Sequence, residues 1–194
     1  EKTTMANQDA AFGLKPIGFL GSTPMNSGLT EYEVAACASA MFQNDLIKVI
    51  NTGTVGIAAA SDNGALLGSL QGVFFTDAST SKPTFANNLK ASNAATDIKA
   101  FVTDNPFQVY EIQSDASGAT QQTDVFNNAD VAVGAGVAPN FISKTEVTDT
   151  QSTTTANLRL IGVSDDAKNN DLSSANANFK VIIIEHFYVT ATGV

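Results

Sequence analysis

The sequence has no tryptophan, one cysteine (Cys37), one histidine (His186) and one arginine (Arg159) in 194 residues. Each scarcity narrows the function. A lone cysteine makes neither an intrachain disulfide nor a cysteine-based metal site, and Cys37 reads as a small buried hydrophobe. With one histidine, any Ser-His-Asp or Cys-His unit would have to use His186, and a zinc site needs several such ligands. His186 falls inside an apolar strand pattern, so it reads as a satisfied, partly buried side chain. The net charge is −9 with a pI near 4.3. Nucleic-acid binding needs a Lys/Arg footprint, so that balance argues against nucleic acid. It argues equally against an anionic membrane surface. No run reaches the roughly 18 apolar residues of a membrane-spanning helix, and no apolar N-terminal h-region marks a signal peptide. There is no Gly-x-Ser-x-Gly and no phosphate-cradling loop ending in Lys-Ser or Lys-Thr. A pair of acids could meet in space as in a glycosidase, but such clefts are usually lined by Trp and Tyr. No enzyme and no cofactor are expected.

What remains is apolar and uncharged. Hydrophobic residues make up 43% of the chain, with 12 Phe, while charged residues are only 15%, below the usual quarter. A chain of this size buries a core without covalent staples. Asn, Thr, Ser and Ala fill the polar surface, as suits a protein that covers much of its outside with neighbours. Asp165, Asp166, Asn169, Asn170 and Asp171 form an oxygen-rich loop without the residue order of a known calcium loop. It reads as solvated turn chemistry, with a calcium site as the alternative.

The strongest structural signal is the stretch from Phe179 to Thr190, nearly all β-branched or aromatic. At period 2, Phe179, Val181, Ile183, Phe187 and Val189 share one face, which predicts a long central strand. Earlier strands are expected at 46–50 and 54–60, joined by an Asn51-Thr52-Gly53 hairpin turn. Another is expected at 66–76, with a bulge suggested by Gly68 and Gly72. A short edge strand is expected over 84–89 and a strand at 158–163. Thr30 to Met41 reads as helix, from the Thr30/Glu33 capping box, or as a short strand, from the alternation of Tyr32 and Val34, with strand favoured. Residues 98–103 and 107–113 read as a hairpin turning at Asp104-Asn105-Pro106. Within 116–155, the sequence suggests a helical turn or two over 123–131 capped by Thr123, and a strand over 137–147. Leu67 to Val73 and Leu160 to Val163 echo each other, too briefly to establish a repeat. The expected fold is all-β, a single barrel or sandwich-like domain over 29–194 with at most one or two short helices. Residues 1–28 are expected to form an extended arm that turns at Asn26-Ser27-Gly28, and Met5-Ala6-Asn7 reads as a natural start. Five large apolar groups in nine residues, Phe12, Leu14, Ile17, Phe19 and Leu20, predict contact with the chain's own core or a neighbour.

The phrase from Met5 to Pro16 resembles the opening of a family of tailed-bacteriophage structural proteins, known as head decoration or cement proteins and found in aquatic phages. The likeness continues in order through Gly72 to Asp77, Lys82 to Phe85, Asp104 to Gln113, Leu158 to Gly162 and Val181 to His186. Three points depart from the family. Ala11 stands where proline is common, and Asn88-Leu89 where Trp-Pro is frequent. The 165–178 loop is longer and less glycine-rich. The resemblance implies a virion protein on the outer surface of an icosahedral head, made in the host cytoplasm. Its partners would be the major capsid protein and copies of itself, for example as a trimer. The alternatives are a tail, neck or fibre component, or a carbohydrate- or host-binding β-module.

Overall fold

In the computed structural model, residues 6–21, 28–35, 39–60, 62, 64–115, 118–152, 154–190 and 193 are described. Cys37, the Met5 start and most of the 26–28 turn lie outside them. Among the described residues the chain forms fourteen strands. They are β1 (Lys15–Phe19), β2 (Thr30–Glu33), β3 (Met41–Phe42), β4 (Leu46–Ile50), β5 (Thr54–Ile57), β6 (Leu66–Thr76) and β7 (Pro83–Ala86). There follow β8 (Asn88–Leu89), β9 (Lys99–Thr103), β10 (Gln108–Gln113), β11 (Asn128–Ala132), β12 (Glu146–Ser152), β13 (Leu158–Val163) and β14 (Asn178–Ile183). Among the described residues the helical content is two single 3-10 turns, Gln122–Asp124 and Phe187–Val189. The fold is all-β and the named strands pair antiparallel.

Ten of these strands form the same object twice. The first set, in chain order, is β2, β4, β5, β6, β9; the second is β10, β11, β12, β13, β14. In each set the first strand pairs with the fifth, the fifth with the fourth, the fourth with the second and the second with the third. The third then returns to the first through a single parallel bridge, Val34–Val55 in one set and Ser114–Val147 in the other. Each sheet thereby closes into a small five-stranded barrel.

The agreement extends to register. Leu70–Val102 and Val73–Ala100 in the first barrel correspond to Leu160–Val181 and Val163–Phe179 in the second. Tyr32–Ala100 corresponds to Ile112–Phe179, and Val49–Val55 to Val131–Val147. The fourth strand of each barrel skips a residue at the same place, between Leu70 and Gly72 and between Leu160 and Gly162. Such a bulge bends the strand and tightens its twist, as closing a small sheet requires.

Two clusters of buried side chains fill the barrels. Ile47, Val55, Leu70, Val73, Ala100 and Val102 lead the first; Tyr110, Ile112, Leu158, Leu160, Phe179 and Val181 lead the second. Strand alternation joins them. On β4, Ile47 points into its own barrel, while Leu46 joins the second cluster together with Ala58, Leu66 and Leu14. The interface between barrels is thus continuous with a core, each buried Leu contributing roughly 1.5–3 kcal/mol.

Several expected elements are replaced. β9 and β10 are not a hairpin. They belong to different barrels, and Asp104 to Phe107 carries the chain across. The final strand stops at Ile183, because His186 accepts the Tyr188 amide through its side chain and starts the 3-10 turn over Phe187–Val189. Phe187 and Val189 are therefore not core residues of that strand. The helical expectation over 123–131 reduces to Gln122–Asp124, capped at Gln121 rather than Thr123, and β11 takes most of the rest. In 137–147 only Ile142 bridges, to Gln43, before β12 begins. The 84–89 edge strand is two strands, one on β6 and one on β3.

Candidate interaction surface

The N-terminal segment does not stand apart from the barrels. Asn7 donates to the carbonyls of Asp171 and Ala175, both at 2.8 Å. The Gln8 carbonyl accepts from Asn169 at 2.7 Å and Gln113 at 3.0 Å, and the Ala10 amide donates to Gln113 at 2.8 Å. At Gly13 the backbone has φ +72°, and a Cβ there would sit 2.4 Å from the Asn44 carbonyl oxygen. Only glycine lets the segment cross so closely. Leu14 follows, fully buried, its amide donating to Asn44 O and its carbonyl accepting from Ser69 Oγ at 2.6 Å. Lys15–Phe19 then runs along β10 as β1, with Lys15 Nζ 3.3 Å from Glu111 Oε2.

The five apolar residues singled out in the sequence are thus divided. Leu14 is in the core, Phe12 and Phe19 are half-buried, and Ile17 and Leu20 point outward at 38% and 40% exposure. The Leu20 amide donates to the Phe107 carbonyl at 3.0 Å, so Leu20 stands beside Phe107, itself 61% exposed. Pro16 on this edge strand cannot donate a backbone hydrogen bond, a feature that blunts strand-to-strand association. Contacts here would be made by side chains.

A second apolar feature escaped the sequence reading. On the outward face of the first barrel, the Phe85 ring lies 6.0 Å from Phe74 and 4.9 Å from Phe101, and Phe85 is 68% exposed. Lys99 Nζ lies alongside, bonded to Glu31 at 2.6 Å and Glu33 at 2.8 Å. Phe74 and Phe75 are adjacent in sequence and equally apolar; only the strand pairing tells which one faces out.

Groups with chemical potential are engaged in structure. His186 is buried, and its Nδ1 accepts the Tyr188 amide at 3.2 Å while Nε2 makes no well-formed hydrogen bond. Burial lowers its pKa; the nearby carbonyls of Leu67 and Asp104 and the Asp104 charge oppose this only in part. Tyr32 Oη lies 2.5 Å from both Asp104 Oδ2 and Tyr188 Oη, and burial followed by the Asp104 hydrogen bond raises its pKa. Asp45 accepts the Phe42 amide at 2.7 Å, and burial pushes its carboxyl up to about 6. It borders a cleft of about 660 Å³ lined mainly by small apolar side chains such as Ala40, Ile57, Ala59 and Val133.

The 165–171 loop spends its carboxylates locally. Asp165 pairs with Lys180 at 2.6 Å, and Asp166 accepts the Lys168 amide at 3.1 Å. Asp171 accepts the Ser173 amide and hydroxyl at 2.9 and 2.6 Å. Among the described residues no three His, Cys, Asp or Glu side chains converge as metal ligands, and no helix is long and apolar enough to cross a membrane. Comparison with protein-family models, with curated proteins and with solved structures finds no match to this chain.

Proposed function

We propose that this chain is a structural virion protein that binds the outer surface of a bacteriophage head and stabilises the shell. The observation that carries the reading is the exposed apolar edge of the second barrel, where Leu20 stands beside Phe107 and Ile17 points outward on the same segment, which is anchored by the buried Leu14. Exposed apolar groups set on rigid backbone suit a lattice contact, since the contact orders little that was free before. The acidic balance of the chain suits a surface facing away from DNA. Repeated copies on a lattice would turn modest contacts into firm attachment through effective concentration.

Quantitative mass spectrometry of purified particles tests this. The chain should appear at a simple lattice fraction of the main shell subunit. A handful of copies per particle would place it in the tail, neck or fibres, and absence from particles would overturn the reading. Deleting the N-terminal segment is a poor substitute, because it removes Leu14 from the core and uncovers β10. The cleaner variants are Ile17→Asp and Leu20→Asp, which should abolish attachment and leave the barrels folded.

A further inference from the structure

The two barrels share topology and register but differ at one edge. In the second barrel the N-terminal segment follows the outer edge of the first strand from Gln113 to Gln108: Ala10 meets Gln113, Lys15 meets Glu111, and Gly18 meets Val109. The Gly18 carbonyl also accepts from Gln108 Nε2 at 2.7 Å. β10 is buried throughout. The register places Thr30 on Tyr110 and Glu31 on Glu111, which puts Gly28 on Gln108 and Leu29 on Val109. At this edge of the first barrel no described residue pairs with Gly28 to Glu33; β2 is bonded only to β9 on its other side, and the closing bridge begins at Val34. Leu29 is 48% exposed where Val109 is 7% exposed, and Glu31 is exposed where Glu111 is buried. A row of unpaired backbone groups with an exposed Leu is a template for strand addition, and no proline interrupts it.

Among the described residues, each chain therefore carries two topologically equivalent edges and one segment, seated on the β10 edge. Copies that exchanged their N-terminal segments would still leave one edge per chain unfilled. We propose that the outer edge of β2, from Gly28 to Glu33, is a docking site for an extended apolar segment of a different polypeptide, with a cation placed opposite Glu31. The segment already seated on β10 shows what fits: several large apolar groups, Leu14, Ile17, Phe19 and Leu20, and a Lys whose ammonium meets the carboxylate at the equivalent position, 3.3 Å away. Glu31 and Glu33 share a single Lys99, so one negative charge at this edge is left for the partner to balance. The site stands on the barrel comparison alone, and does not require that the chain be found on virus particles.

The test uses a synthetic peptide of the chain's own residues 10–21 as probe, titrated into the isotopically labelled full-length protein. Amide shifts should concentrate at Gly28 to Glu33, with affinity in roughly the millimolar range or tighter. Leu29→Asp, an exposed substitution whose fold is checked by its thermal melt, should weaken binding by about tenfold or more. A peptide with Lys15→Glu should bind poorly to the parent chain and regain affinity for the Glu31→Lys variant. The proposal is overturned if no amide shifts at saturating peptide, if the shifts map to Gln108 to Gln113 instead, or if both Leu29→Asp and the charge exchange leave the affinity unchanged.

Discussion

At the scale of single residues, burial and charge disagree most at Asp45. Its folded pKa of about 6 lies above the ordinary 3.8, so between those values the folded chain holds this proton more tightly than the unfolded chain does. Stability from this group is therefore full at low pH and is lost as pH rises through about 6. His186 acts in the opposite sense: its pKa is lowered by burial, so stability is lost as pH falls and the imidazole is forced to charge. Asp45→Asn removes the first dependence and keeps the second. Urea unfolding of parent and variant at about pH 7.5 and about pH 4.5 should show the variant's relative advantage shrinking by on the order of 2 kcal/mol at the lower pH. An equal difference at both would mean that Asp45 ionises in the fold as it does in water.

The N-terminal residues make a second contrast at this scale. Leu14 is fully buried and shares the second barrel's cluster, so Leu14→Ala should cost roughly 2–5 kcal/mol in denaturant unfolding. Leu20→Asp changes an outward side chain and should move stability by no more than about 0.5 kcal/mol. If Leu20→Asp unfolds the protein, the outward edge is part of the core and cannot serve as a contact surface. The sequence shows that these residues are apolar and close together. It does not show which are core, because the left-handed turn at Gly13 and the register shift between Pro16 and Gly18 break the alternation.

At the scale of elements, β6 illustrates what a strand's own residues can and cannot declare. Its bounds, Leu66–Thr76, and its bulge agree with the expectation from β-branched and aromatic content interrupted by glycine. The β4–β5 hairpin was equally readable, since Asn51-Thr52-Gly53 supplies a turn with Gly53 at φ +78°. The partners of β9 and β10 were not readable. Asp104 to Pro106 has the composition of a hairpin turn, but the competing pairings β9 with β6 and β10 with β14 join residues far apart in sequence, which local turn chemistry does not report. The duplication was hidden for the same reason. The identical residues at equivalent places, Glu31 and Glu111, Val49 and Val131, Val55 and Val147, Leu70 and Leu160, Gly72 and Gly162, Val73 and Val163, Val102 and Val181, are scattered over five strands whose connecting loops differ in length. Register also predicts unequal tolerance of glycine substitution. A Cβ on Gly68 would lie 1.8 Å from the Thr103 carbonyl oxygen, a backbone atom of the paired β9, whereas a Cβ on Gly162 would meet nothing within 4 Å. Gly68→Ala should therefore cost roughly 3 kcal/mol or more, and Gly162→Ala should be neutral or stabilising by up to about 1 kcal/mol. Thermal melts of the two variants check this, and equal effects would contradict the assigned pairing of β6 with β9.

At the scale of the whole molecule, the question is whether two barrels make one cooperative unit. Repeated modules that touch only through polar surface can open separately. Here the contact is apolar: Leu46, Ala58 and Leu66 come from the first barrel and are buried with Leu158, Leu160 and Phe179 of the second. Leu14 adds a third strand of connection, bonded to Asn44 and Ser69 in the first half while its neighbour Lys15 lies on β10 in the second. Opening either barrel exposes side chains that complete the other, so both should open together. Native-state hydrogen exchange should give the central strands β6 and β9 the same limiting free energy as β13 and β14. Leu46→Ala, a change on β4 alone, should lower protection in all four strands by a similar amount, roughly 2–5 kcal/mol. If only β6 and β9 respond, the barrels are separable units and the buried contact between them is not what keeps them folded. A shared response would mean that strain applied at the N-terminal edge of the second barrel is carried through Leu14, Leu46 and Leu66 into the first. That rigidity suits the proposed contacts, one with a shell at the β1 edge and one with a second chain at the β2 edge.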